Sequence, residues 1–267
     1  MKDITVIIPI LLEHYSHPND EKLIKAVDSV VAAAKNYTDG VVKLMIVRPE
    51  DKQTDNIYFG DKIDTRYIYN DGKTDYCSQI NLGASKVDTD YFSILEFDDW
   101  YSPKWFKMFN EYYNTHEDVS VFMPINVLHN VKTNINEFVN DAAWASSASS
   151  SDELGMVDFD FLEVFASFNL TGSIFKTSDW LKYKPSIKAA FNYEYLLRAT
   201  SKKQKVYVIP KEGYHHELFR EGSLIDKYMT EIPENENPKW FDLAKRECIY
   251  DEDREKGIFE EKVEQLK

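Results

Sequence analysis

The chain has 267 residues, 43% of them hydrophobic and 29% charged, with nine glycines, nine prolines and a formal net charge of −14. These proportions exclude collagenous, low-complexity and natively unfolded classes, and the length suffices for one large or two small cores. Mean hydropathy is −0.48, and apolar stretches such as 27–34 break off well short of the roughly 20 residues a membrane helix needs. The N-terminus runs straight into a strand-like segment without the pattern of a secretory leader. Cys77 and Cys248, the only cysteines, form neither a disulfide framework nor a zinc knuckle. The expected setting is therefore a reducing cytoplasm, with no membrane insertion. The acidic charge argues against a nucleic-acid-binding surface over the whole molecule. Residues 174–213 nevertheless hold nine basic and three acidic residues. That segment reads either as a solvated helical face or as a local field for a phosphate-bearing ligand.

In chain order, Asp3 to Leu12 is an apolar, β-branched run ending at a polar loop, the pattern of a buried parallel strand. Leu23, Ile24, Val27, Val30 and Val31 form a helical stripe within 21–36. Val41 to Val47 predicts a second strand, halted by Arg48 and Pro49, and Thr65 to Tyr69 a short third one. Asn70-Asp71-Gly72 is a turn signal, and Asp75 to Ser85 a helix with Thr74 as its expected N-cap. Tyr91 to Glu96 predicts a fourth strand running into Phe97-Asp98-Asp99-Trp100. This order predicts an α/β layer with a mostly parallel sheet and helices on both faces, whose ligands gather beyond the carboxyl ends of the strands. Three of those ends carry polar clusters: Glu13-His14, Arg48 to Asp51, and Glu96 to Asp99. The second half is less regular, with a helix over 103–114, strands over 119–127 and 205–210, and a helix over 189–200. The serine-rich stretch 142–152 reads as a lid or a plain linker, and the tail from Pro233 as charged and helical.

Glu96, Asp98 and Asp99 place three carboxylates within four residues at a strand end. Like charges this close raise one another's pKa and cost stability, and a divalent cation removes the conflict. Carboxylates joined by substrate phosphates are the usual way Mg²⁺ or Mn²⁺ is held. The bland alternative is an acidic loop with Asp99 capping the helix that follows Pro103.

The segment Leu95-Glu96-Phe97-Asp98-Asp99-Trp100-Tyr101-Ser102-Pro103, following the preceding strand and helix order, resembles the family 2 glycosyltransferases of GT-A fold, whose pattern is L-D-x-D-D-W-x-x-P. The resemblance covers residues 3–110. It continues more loosely through Thr171-Gly172-Ser173, the stretch from Tyr193 to Arg198, and Gly222-Ser223-Leu224. It implies a GT-A, Rossmann-like domain in two halves, with the nucleotide sugar bound by 1–110, the acceptor by an irregular 111–232, and a charged tail over 233–267. It also implies a nucleotide-diphosphate sugar, UDP-sugar favoured, with Mn²⁺ or Mg²⁺ on the diphosphate and an inverting transfer. By position, Asp98 is the prime metal ligand with Asp99 beside it. Glu96 stands where the family has aspartate and, one methylene longer, would bind the donor's ribose or reach the metal through water. Pro9, Ile10 and Leu11 would offer backbone to the base, and Arg48 holds a place where relatives carry aspartate. Asp75, Ser78 and Asn81 would face the crevice, Asn81 being equally suited to capping, and Gly172 would let backbone approach the donor sugar.

In the acceptor half, the family's general base falls on Asn192, which cannot take a proton. Glu194 is then the candidate base by a shifted register, or an i,i+4 partner of Arg198. His215 or His216 would complete the metal shell, and Trp100 either stacks on a sugar or packs. The implied acceptor is a glycan hydroxyl or a modified DNA base of phage type, which would have to be flipped out. Two further readings remain open: a non-catalytic sugar-nucleotide or glycan-binding module, motivated by Asn192 and Glu96, and, less favoured, a nucleotidyltransferase.

Overall fold

The computed structural model describes residues 2–10, 21–49, 59–70, 72–73, 75–145, 153–187, 190–218 and 237–247. Leu11, Glu13, His14, Glu50, Asp51, residues 146–152 and most of the tail lie outside these segments.

Strand β1 (Ile4–Pro9) lies between β2 (Val42–Arg48) and β4 (Tyr91–Ile94), with β3 (Thr65–Tyr69) outside β2. All three pairings are parallel, as the near-continuous apolar runs predict for strands buried on both faces. The sheet continues through β9 (Ile174–Lys176), which is antiparallel to both β4 and β6 (Val119–Asn130). Next comes β10 (Lys205–Leu218), parallel to β6, and then the edge strand β5 (Trp100–Tyr101), antiparallel to β10. Two short strands branch off, β7 (Ile135–Val139) from β6 and β8 (Met156–Val157) from β10. The parallel expectation thus holds for the first half, whereas the second half is mixed. Strands from both halves share one sheet.

Alternation along each strand sends side chains to two cores. On one face, Val6, Ile8, Leu44 and Ile46 pack with α1 (Glu21–Lys35) and α3 (Trp105–Tyr113). On the other, Ile7, Met45 and Val47 pack with α2 (Tyr76–Ala84), α4 (Phe159–Val164), α5 (Phe191–Ser201) and α6 (Asn237–Glu247). Helix α1 buries Leu23, Ala26, Val27, Val30 and Ala33, spaced three or four apart, and leaves Lys25 and Asp28 in solvent. The N-cap of α2 is Asp75 rather than Thr74, its carboxylate accepting from the Ser78 amide at 2.9 Å.

Two elements exceed the sequence expectation. Strand β10 runs on past Pro210 by absorbing irregularities between Val208, Glu212 and Tyr214, the bulges by which a long strand bends and keeps its pairing. Strand β6 continues three residues beyond Val127.

Candidate active site

The carboxyl end of β4 turns back on itself. The Asp99 amide donates to the Glu96 carbonyl at 3.1 Å, a four-residue turn whose first and last members share one side. Glu96 and Asp99 therefore converge, whereas Asp98 lies within the turn, buried at 8% exposure. Strand β10 supplies the rest. Tyr214 and His216 are two residues apart and so share a face, and both reach Asp99. The Tyr214 hydroxyl donates to Asp99 Oδ2 at 2.7 Å and accepts from the Glu96 amide at 3.1 Å. His216 Nδ1 lies 2.7 Å from the same Oδ2.

Ligand atoms of Glu96, Asp99 and His216 all fall within 4.8 Å of one another. Asp99 Oδ1 is buried without a hydrogen-bond partner among the described residues. A buried, orphaned carboxylate oxygen is costly unless something positive meets it. Two carboxylates and an imidazole suit a divalent cation of the Mn²⁺ kind, so the residues present fit one. Burial opposes the charge on His216, but the Asp99 carboxylate, aided by Glu96 and Asp98, holds its pKa up to about 9. Burial also pushes the Asp99 carboxyl upward, against the pull of His216.

The geometry separates the residues that the sequence reading grouped. The side chains that converge are Glu96, Asp99 and His216; among the described residues Asp98 and His215 join no such group. His215 faces the other way, its Nε2 2.9 Å from Ser102 Oγ and its Nδ1 3.1 Å from His129 Nε2. Burial, His129 and the Lys25 charge pull its pKa to about 4. Trp100 stacks on His129 and His215 and carries the Lys25 ammonium 3.3 Å from its ring centroid, so it is a packing residue. Replacing His216 with alanine is expected to abolish Mn²⁺-dependent thermal stabilisation. Replacing His215 should leave it intact; a full shift retained in His216→Ala would remove His216 from the site.

Glu194 does not stand open to an acceptor. It is fully buried. Its Oε1 and Oε2 accept from Arg198 Nε and Nη2 at 2.8 and 3.0 Å, and Lys184 Nζ lies 3.2 Å from Oε1. Asn192 belongs to a neutral network, accepting from the Tyr183 hydroxyl at 3.3 Å and donating to Asn169 at 3.4 Å. Asn81 is a clamp: its amide donates to the Tyr183 carbonyl at 2.7 Å and accepts from the Tyr183 amide at 2.8 Å. The close approach at Gly172, where φ is +78°, is to protein: a Cβ there would stand 2.5 Å from Tyr214 Cδ2. Its glycine serves the seating of Tyr214.

On the donor side, the Ile10 amide is already spent on the Val47 carbonyl at 2.8 Å and its side chain is buried. Pro9 ends β1, buried and without an N–H. Arg48 is buried at the end of β2, paired in register with Tyr69. Asp75 and Ser78 sit at the start of α2, and Leu11 is outside the described residues. Tyr214 and Lys184 are the participants that sequence reasoning missed. The period-two spacing of Tyr214 and His216 was the available signal for the first.

An α/β sheet with a carboxylate–histidine cluster beyond its parallel strands defines a GT-A-like architecture. Residues 5–140, just over half of the chain, match glycosyl transferase family 2, and the chain belongs to that family. Among solved structures it is similar to S. aureus TarS 1–349 in complex with UDP-GlcNAc, with TM-score 0.59, 12% identity, and coverage of 93% of this chain and 66% of that one. It also resembles S. aureus TarS 1–349 in complex with UDP, with TM-score 0.54, 12% identity and coverage of 100% and 78%. The chain thus spans slightly less than two thirds of the first of these. No curated protein matches it in sequence. Among the described residues, no helix is long and apolar enough to cross a membrane.

Proposed function

We propose that the protein is a metal-dependent glycosyltransferase that cleaves a nucleoside-diphosphate sugar, a UDP-sugar for preference, and passes the sugar to a glycan hydroxyl. The observation that carries this reading is the convergence of Glu96, Asp99 and His216 beyond a parallel strand in a family 2 chain, with Oδ1 of Asp99 buried and without a partner among the described residues. The UDP preference draws on the nucleotides bound by the TarS structures of similar fold. When bound, Mn²⁺ or Mg²⁺ supplies Lewis-acid neutralisation of the departing diphosphate. The chain's own part is to fix the ligands. Tyr214 and His216 hold Asp99 Oδ2 and leave Oδ1 as the oxygen that would be available to an ion, while Gly172 lets Tyr214 settle against the backbone.

A glycan is favoured over DNA by where the basic residues of 174–213 sit. Lys184 and Arg198 are buried on Glu194, and Lys205 pairs with Asp118. Lys202 and Lys203 lie in the turn that ends α5 and Lys205 at the start of β10, at least ten residues and on the order of 30 Å of strand from His216. That exceeds a Debye length several times over at physiological salt.

The test is release of nucleoside diphosphate from a UDP-sugar with Mn²⁺ supplied or chelated. Release that depends on the ion supports the enzyme. Ion-dependent binding of the donor without release would favour the non-catalytic module, and release of pyrophosphate a nucleotidyltransferase.

A further inference from the structure

Helix α2 brings an aromatic ring to the Asp99 cluster. It follows the parallel strand β3, so it starts at the carboxyl end of the sheet and runs back along it. Gly83, near its far end, abuts the strands: a Cβ there would stand 2.8 Å from Ile7 Cγ2 and 3.0 Å from Val47 Cγ2. Tyr76, the first residue of the helix, is therefore raised on the order of 10 Å above that level, beyond the strand ends, where β4 gives way to Glu96 and Asp99. The electrostatics agree. Burial raises the pKa of the Tyr76 hydroxyl well above the ordinary tyrosine value, with the Glu96 charge next and that of Asp99 adding to it.

A second ring joins it from α5. Phe191, the first residue of that helix, packs on Tyr76 with centroids 5.4 Å apart and planes at 42°. Tyr183 braces Phe191 edge-on at 5.3 Å and 80°. Tyr183 is itself buried, its backbone clamped by Asn81 and its hydroxyl spent on Asn192. Tyr76 and Phe191, in contrast, are only half-buried. Among the described residues the Tyr76 hydroxyl has no hydrogen-bond partner.

Two braced, half-open rings with an unused hydroxyl suit a ligand that has an apolar C–H face and a polar rim. On a nucleoside-diphosphate sugar held at Glu96, Asp99 and His216, the group joined to the outer phosphate is the sugar. We infer that Tyr76 and Phe191 form a wall of the donor-sugar pocket, on which one pyranose face lies while the Tyr76 hydroxyl donates to a ring substituent. The raised pKa keeps that hydroxyl protonated and so a donor. The inference rests on the glycosyltransferase reading and narrows its donor to a neutral sugar, because Glu96 beside the wall repels a carboxylate on the ring.

The experiment is calorimetric titration of the full chain, with Mn²⁺ present, by UDP, UDP-glucose, UDP-GlcNAc and UDP-glucuronate. Phe191→Leu keeps an apolar side chain but removes the stacking face. It should weaken binding of a neutral UDP-sugar roughly tenfold and leave UDP binding unchanged. Tyr76→Leu should do the same, whereas Tyr76→Phe, which loses only the hydroxyl, should weaken it by about threefold. Retained UDP binding shows that each variant is folded. Equal weakening of UDP and UDP-sugar, unchanged UDP-sugar binding in Phe191→Leu, or tighter binding of UDP-glucuronate than of both neutral sugars would each overturn the assignment. If the unaltered protein binds no UDP in the presence of Mn²⁺, the transferase reading falls and the wall with it. If UDP binds and the sugar goes unnoticed by both variants, only the wall falls.

Discussion

Asp99→Asn is expected to abolish the response of the protein to Mn²⁺ and to lower donor cleavage by about 10²-fold or more, the several kcal/mol that a Lewis-acid ion contributes to a departing diphosphate. Asparagine keeps the shape and can still accept from Tyr214, but it removes the charge on the buried Oδ1 that has no other partner among the described residues. The expectation is quantitative in a thermal melt. An ion supplied at 100 times its Kd stabilises the native state by about 2.7 kcal/mol, or about 5–10 °C for a chain of this size. The unaltered protein should gain that shift and Asp99→Asn none. Asp98→Asn should retain it, since Asp98 lies outside the group whose ligand atoms converge. A full shift in Asp99→Asn, or its loss only in Asp98→Asn, would move the ion to the residue that the sequence motif first suggests.

That contrast shows what a linear sequence can and cannot carry. The α/β layer was legible because β1 and β2 are unbroken apolar runs and α1 repeats at three and four. The acidic strand end was legible because three carboxylates there demand a counter-charge. Which of them converges with a histidine was not, because it depends on the Glu96–Asp99 turn, a backbone hydrogen bond with no mark in residue type. The histidine was half legible. A strand through residues 214–216 sends adjacent side chains apart, so only one histidine can join Asp99. Choosing between them needs the β10 bulges around Glu212, which sequence alone reads as a break after Pro210. Gly172 was singled out for its freedom to bring backbone close, but the neighbour it approaches is Tyr214, more than forty residues away in the chain.

Glu194→Gln is expected to act first on stability. Its carboxylate is buried and pairs with both Arg198 and Lys184, and an amide in its place removes the negative charge that these two buried cations share. Removing one partner from such a pair costs about 3–5 kcal/mol, which for this chain length lowers the melting temperature by on the order of 10 °C. The i,i+4 half of this arrangement could be read from the helix spacing. Lys184 could not, because it comes from the irregular segment before α5, held by the Asn81 clamp on Tyr183. The physical account makes a second demand. Lys184→Met in the Glu194→Gln background removes one stranded charge and should recover part of the lost stability, whereas a simple loss of packing would be deepened by it. A general base behaves differently: Glu194→Gln would melt like the unaltered protein and lose turnover by roughly 10²-fold or more. That result would return Glu194 to the reaction and show that the ion pair opens when the acceptor arrives.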